Sequence, residues 1–242
     1  MSSDTSSDTA KKDDLPPPLQ FNFWWWLLYV TSNVFSTLWF RLRGYHQERL
    51  PKEGGALLLL NHQSHLDPAL VGTVMNRPIS FVARDTLFNV PFIGFWLRHC
   101  YVMPIRRDAA TSSTIREAVR RLEHGFFVGL FPEGTRTSDG KVARFKPGFV
   151  AILKRARVPI IPVGIGGSFE AMPRGSWFIR PKRCCVVFGE PIPVEEIEAH
   201  FNSDQSDSDF VEFLRERVIA CQQEADARRL GTYTAASAAA KN

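Results

Sequence analysis

No Cys-x-x-Cys pair, no Gly-x-Ser-x-Gly turn and no glycine loop ending in Gly-Lys-Ser/Thr occurs in these 242 residues. The first absence sets aside the common zinc and dithiol redox motifs, and Cys100, Cys184, Cys185 and Cys221 show no metal-ligand spacing. Cys184 and Cys185 are neighbours in a strand-like run and point to opposite faces, so no bridge is expected between them. Reduced thiols in an intracellular protein are the expectation. The second absence removes the strained serine elbow that would supply a protein nucleophile. The third removes a nucleotide site, and the glycines of 164–168 read as a tight turn. Charge of one sign is also scarce: 30 basic against 25 acidic residues give +5. That balance suits an anionic membrane surface or anionic substrates. The basic residues do not alternate with aromatics as in nucleic-acid modules, so no nucleic-acid partner is expected. There is no internal repeat.

What is present alternates between apolar runs and helical patterns, which predicts an α/β fold with a mostly parallel central sheet flanked by helices. Strands are expected over 56–60, 79–83, 101–105, 126–131, 160–164 and 184–188. Helices are expected over 113–124, from Pro147 through Leu153, and over 209–229, with a polar loop at 202–208. The length suits one such domain with a sizeable core. We divide the chain into a disordered tail, 1–19, a membrane-interface helical segment, 20–48, the α/β domain, 49–230, and a flexible tail, 231–242.

The segment 20–48 contains three consecutive tryptophans, Trp24, Trp25 and Trp26, and stays uncharged to Phe40. It is not a signal peptide, since no small-residue cleavage site follows. It is long enough to span a bilayer. Yet Tyr29, Ser32, Asn33 and Ser36 form a polar stripe, and the tryptophans crowd one end as interfacial anchors do. A helix lying in the interface is therefore favoured over a spanning helix and over a helix packed in a soluble core. Arg41, Arg43, Arg49 and Lys52 follow, either as a rim for anionic headgroups or as a solvated linker.

Two turns carry chemistry. Asn61-His62-Gln63-Ser64-His65-Leu66-Asp67 follows the strand 56–60, and its spacing lets Asp67 fold back onto the His62 ring. A His oriented by a carboxylate has a fixed tautomer and can take a proton from a hydroxyl near neutral pH. Asp67 before Pro68 is equally a helix cap, and its two oxygens allow both roles. Metal ligation by His62, His65 and Asp67 lacks a further nearby ligand, and no metal is expected. Ser64 is expected to bond within the loop. The second turn, Phe131-Pro132-Glu133-Gly134-Thr135-Arg136, follows another strand, and Lys146 comes ten residues beyond Arg136. Arg136 offers a planar fork for phosphate and Lys146 a point charge. By itself this turn also reads as a surface loop with basic residues.

Taken together, Asn61-His62-x4-Asp67, Val102-Met103-Pro104-Ile105-Arg106-Arg107, Phe131-Pro132-Glu133-Gly134-Thr135-Arg136 and Val158-Pro159-Ile160-Ile161-Pro162-Val163 resemble four blocks of the glycerolipid acyltransferase family, in order. The likeness is to its lysophosphatidate acyltransferase group and runs from about residue 50 to about residue 191. The resemblance implies His62 as general base and Asp67 as its orienting partner. It implies Glu133, Gly134, Thr135 and Arg136 in the acceptor site, with Arg107, Arg106 and Lys146 beside them on the acceptor phosphate. No step is assigned to Glu133. His99 and Cys100 depart from the small residues common there. The implied reaction moves a fatty acyl group from acyl-coenzyme A or acyl carrier protein, as co-substrate and without a cofactor, to the free glycerol hydroxyl of lysophosphatidate, a lysophospholipid in the bilayer, giving phosphatidate. That places the protein on the cytoplasmic face of a membrane, on one leaflet rather than across it. A lipid or thioester hydrolase would use the same His–Asp pair, and a different lysolipid acceptor would keep the family.

Overall fold

Ala56–Leu60 is fully buried because it lies at the middle of a sheet covered on both faces. Its side chains alternate between two layers. Leu57 and Leu59 enter one core, while Ala56, Leu58 and Leu60 enter the other. A computed structural model describes residues 22–75, 77–91, 93–105, 112–203 and 206–234. The tail expected over 1–19, most of that expected over 231–242, and both Arg106 and Arg107 lie outside the described residues.

Among the described residues the sheet has seven strands: β1 (Arg43–Tyr45), β2 (Ala56–Leu60), β3 (Ile79–Arg84), β4 (Met103–Ile105), β5 (Phe127–Leu130), β6 (Ile160–Gly166) and β7 (Cys185–Phe188). Their order across the sheet is β1-β7-β6-β2-β5-β3-β4. Every pairing is parallel except β6 with β7. The helices are α1 (Phe23–Phe40), α2 (Asp67–Val74), α3 (Ile93–His99), α4 (Ser112–Glu123), α5 (Val150–Ala156), the single turn α6 (Ser168–Ala171), α7 (Val194–Phe201) and α8 (Asp207–Leu230). The mostly parallel α/β sheet flanked by helices is the architecture expected, and all six expected strands are present: β2 with the expected bounds, β3 and β6 longer, and β4, β5 and β7 trimmed.

The differences have local causes. β1 is only three residues, Arg-Gly-Tyr, and owes its extended form to pairing with β7. It ends the helical stretch expected over 20–48: α1 stops at Phe40, and Arg41 turns the chain in the left-handed conformation. The tight turn expected at 164–168 is confined to Gly167, whose φ is +89°, while Gly164 and Gly166 stay in β6. Gly164 is required by α8, because a Cβ there would lie 2.1 Å from the Cys221 carbonyl carbon. α8 starts at Asp207, since the Ser206 side chain caps it by accepting from the Asp209 N–H.

α1 inverts the usual pattern of a surface helix. Its polar stripe faces the body: Ser36 is buried, and Asn33 Nδ2 donates to the Thr73 carbonyl at 3.2 Å. An apolar face points out, with Val34 56 % and Leu38 78 % exposed, while Phe40 is buried. Among the described residues no helix is long and apolar enough to cross a membrane.

Candidate active site

Three turns at the carboxyl ends of β2, β5 and β6 meet at His62. Ligands of open α/β sheets bind along this edge. The turn after β2 closes on Asp67, which is 0 % exposed. Its Oδ2 lies 2.9 Å from His62 Nδ1 and accepts the backbone N–H groups of Gln63 and Ser64 at 2.7 and 2.8 Å. Its Oδ1 accepts the Ser168 hydroxyl at 2.6 Å. Asp67 sits inside the first turn of α2 and its side chain does not cap that helix. Of the two roles open to it in sequence, orientation of His62 is the one the geometry displays. With Nδ1 held by Asp67, the ring presents Nε2 as its second nitrogen.

The turn after β5 fixes the other side. Glu133 is buried, and each oxygen accepts a backbone N–H: Oε1 that of His62 at 2.8 Å, Oε2 that of Ala143 at 2.9 Å. Burial pushes the Glu133 carboxyl above its ordinary value, against the lowering effect of those two bonds. The residue therefore ties the His62 turn to the 133–143 loop. The Thr137 N–H donates to the His62 carbonyl at 2.8 Å, and Phe131 stacks on the His62 ring with centroids 4.1 Å apart. The His62 side chain keeps 19 % exposure.

The basic residues are brought together in part. Gly134 has φ +69°, and a Cβ there would lie 2.9 Å from Lys146 Nζ, so its close approach is to the Lys146 side chain. Thr135 is exposed at the tip of this turn and Arg136 half-buried beside it. Arg106 and Arg107 lie outside the described residues. The Ser64 hydroxyl bonds within the loop as expected, accepting the Leu66 N–H at 3.3 Å, and also donates outside it to the Met172 carbonyl at 2.8 Å. Among the described residues no three His, Cys, Asp or Glu side chains form a group able to hold a metal ion.

Sequence reasoning missed Ser168 and Gln63. Ser168 is buried and donates to Asp67 from 101 positions away. Gln63 Oε1 accepts the same hydroxyl at 3.1 Å, while its Nε2 donates to the Gly140 carbonyl. A glycine pair before a serine signals a turn and says nothing about what the hydroxyl meets.

Beside the His62 turn lies a mainly apolar cavity of about 340 Å3 between α1, α2, α3 and β3. His65 and Pro68 line it next to the motif, and Trp25, Gly72, Phe81 and Cys100 line it further along. His65 thus faces this cavity. His99, the other departure from the family pattern, packs its ring on Phe95 and Trp24 under α1. Burial pushes the Cys100 thiol up to about 11.

Comparison with known proteins agrees with this geometry. Residues 41–166 match the family described as Acyltransferase. The 1-acyl-sn-glycerol-3-phosphate acyltransferase of Bacillus subtilis is 26 % identical over 183 residues, covering 75 % of this chain and 88 % of that protein. The chloroplastic 1-acyl-sn-glycerol-3-phosphate acyltransferase LPAT1 of Arabidopsis thaliana is 31 % identical over 162 residues, covering 65 % of this chain and 44 % of that longer protein. The crystal structure of the 1-acyl-sn-glycerophosphate acyltransferase from Thermotoga maritima superposes with a TM-score of 0.69 at 23 % identity, covering 87 % of this chain and 81 % of that one.

Proposed function

The chain belongs to the acyltransferase family, and from that premise we propose that it moves a fatty acyl group from an acyl thioester to the free glycerol hydroxyl of lysophosphatidate, giving phosphatidate. The observation that carries this reading is the His62–Asp67 pair, held by buried hydrogen bonds in a turn whose His65 and Pro68 line an apolar cavity.

In this reading His62 Nε2 takes the proton of the glycerol hydroxyl as its oxygen attacks the thioester carbonyl. The tetrahedral intermediate then expels the thiolate, the C–S bond breaks, and the imidazolium returns its proton to the sulfur. Asp67 stabilises that imidazolium and fixes the ring. Glu133 orders the turn and takes no proton. Arg136 and Lys146, with Arg106 and Arg107, hold the acceptor phosphate, while Gly134 and Thr135 shape the turn around it. The cavity takes the acyl chain, so its apolar walls place the carbonyl near His62. No cofactor takes part, and the donor carrier is coenzyme A or acyl carrier protein. The exposed face of α1 lies in the cytoplasmic leaflet, where the acceptor resides.

The test is acyl transfer by the purified full chain in detergent, with both thioester donors and a panel of lysolipids. Phosphatidate formed selectively from lysophosphatidate is expected, and His62→Ala should lower it by about 10²–10⁴-fold. Transfer to another lysolipid alone would replace the substrate. Free fatty acid released without any acceptor would replace transfer by hydrolysis.

A further inference from the structure

Residues 172–183, between α6 and β7, form a loop whose most prominent side chains are aromatic. Trp177 is 89 % exposed and Phe178 54 %. Their rings meet edge to face with centroids 6.3 Å apart and project from a turn set by Gly175 at φ +86°. The Ser176 hydroxyl accepts the Phe178 N–H and donates to its carbonyl, so the pair stands on a short bonded turn. Side chains this apolar are normally covered, and nothing in the fold covers them.

The surroundings identify the cover. Arg174, Arg180, Lys182 and Arg183 are all exposed, and no Asp or Glu occurs from Ala171 to Gly189. The root of the loop joins the end of α1. The Cys184 N–H donates to the Phe40 carbonyl at 3.0 Å, and Ile179 packs with Leu42 on the same core. Arg41 and Arg43, exposed at that junction, extend the basic surface. Aromatic tips within a ring of cations match a bilayer interface, where tryptophan sits at the headgroup level and anionic lipid attracts Lys and Arg.

We propose that the 172–183 loop is a second membrane-contact element, inserting Trp177 and Phe178 among the headgroups of an anionic leaflet. This rests on the reading above only in taking the acceptor to be a bilayer lipid. The loop is also coupled to the chemistry, because the Ser64 hydroxyl in the His62 turn donates to the Met172 carbonyl at its root. α1 and this loop then form two separate footings for the catalytic edge, which sets the orientation of His62 toward the bilayer and not merely its proximity.

The experiment is flotation of the full chain with vesicles of phosphatidylcholine, alone or in equal parts with phosphatidylglycerol. Trp177→Ser with Phe178→Ser is expected to weaken partitioning to both vesicles by about tenfold. Lys182→Glu with Arg183→Glu is expected to remove about tenfold of the preference for the anionic vesicles. Both variants should keep wild-type transfer to detergent-dispersed acceptor. Partitioning of the aromatic variant within twofold of wild type would overturn the proposal. So would an unchanged anionic preference in the charge-reversed variant. If the serine variant does not fold, Trp177→Phe keeps the test: quenching of tryptophan fluorescence by brominated lipid should fall, and unchanged quenching overturns the proposal. Wild-type protein that floats but transfers no acyl group would count against the reaction, not against the loop.

Discussion

The His62 turn and α1 treat their polar groups in opposite ways, although they flank one cavity. At the turn, both oxygens of Asp67, and both of Glu133 from the turn after β5, accept hydrogen bonds away from solvent. On α1 the polar stripe is spent on contacts with the body and the apolar face is left outside. The turn is therefore complete in the isolated chain. The helix leaves an apolar face uncovered. Leu38 and Val34 are exposed while Ser36 is buried, and this inversion is what supports the proposed contact of α1 with lipid.

The largest break of this comparison comes at the turn. Asp67→Asn places an amide NH2 among four donors, and at least one of them loses its acceptor. Transfer should fall by about 10³–10⁴-fold, because His62 loses both its fixed tautomer and the anion that stabilises its charged form. Stability should fall by about 1–3 kcal/mol, the range for an unsatisfied buried polar group. Denaturant unfolding beside a rate assay checks both. A stable, active Asn variant would mean that the hydrogen bonds around Asp67 are dispensable.

The matching change on α1 should separate the two properties. Val34→Ser with Leu38→Ser should alter folding stability by no more than about 0.5 kcal/mol, since both side chains are exposed. Vesicle partitioning should fall by about tenfold or more. Flotation and thermal unfolding of the same sample measure the two. Removing the whole segment to residue 40 would not be a clean test. Phe40 is buried, its carbonyl accepts the Cys184 N–H, and Trp25 and Tyr29 line the cavity.

The same contrast explains what was legible in the sequence. The strands from β2 to β7 were readable because a sheet buried on both faces needs unbroken apolar runs. β1 was not readable, because Arg-Gly-Tyr becomes a strand only by pairing with Cys185, Val186 and Val187. The His62–Asp67 pair could be anticipated from a spacing of five. The Ser168 bond could not, because it joins chain segments that only the fold brings together. Glu133 had no readable role because its partners are backbone N–H groups, which every residue but proline carries. The polar stripe of α1 was visible, but periodicity gives a face and not the side it is turned to.

A smaller effect is expected inside the cavity that the two regions share. Gly72 of α2 lines it, and a Cβ built there meets nothing within 4 Å. Gly72→Leu should therefore fold normally, with up to about 1 kcal/mol of added helix stability. Its side chain would occupy volume assigned to the acyl chain. Turnover of the longest accepted acyl thioester should drop by about tenfold in kcat/KM while short donors are spared. An unchanged chain-length profile would move the acyl chain out of this cavity.

The smallest effect is a rate of chemical labelling. Cys100 lines the same cavity, and burial raises its thiol to about 11, so the group is neutral through the physiological range. At pH 8 only about one thiol in a thousand is the reactive thiolate, against roughly one in four for an ordinary cysteine. Alkylation should be about two hundredfold slower than for a free thiol, and should rise about tenfold per pH unit without levelling off below pH 10. Mass-resolved labelling of Cys100 across pH 7–10 reads this directly. A plateau near pH 9 would mean that the cavity admits water as an ordinary surface does. Further slowing by a non-hydrolysable acyl thioester would place the acyl chain beside Cys100, in the space between the His62 turn and α1.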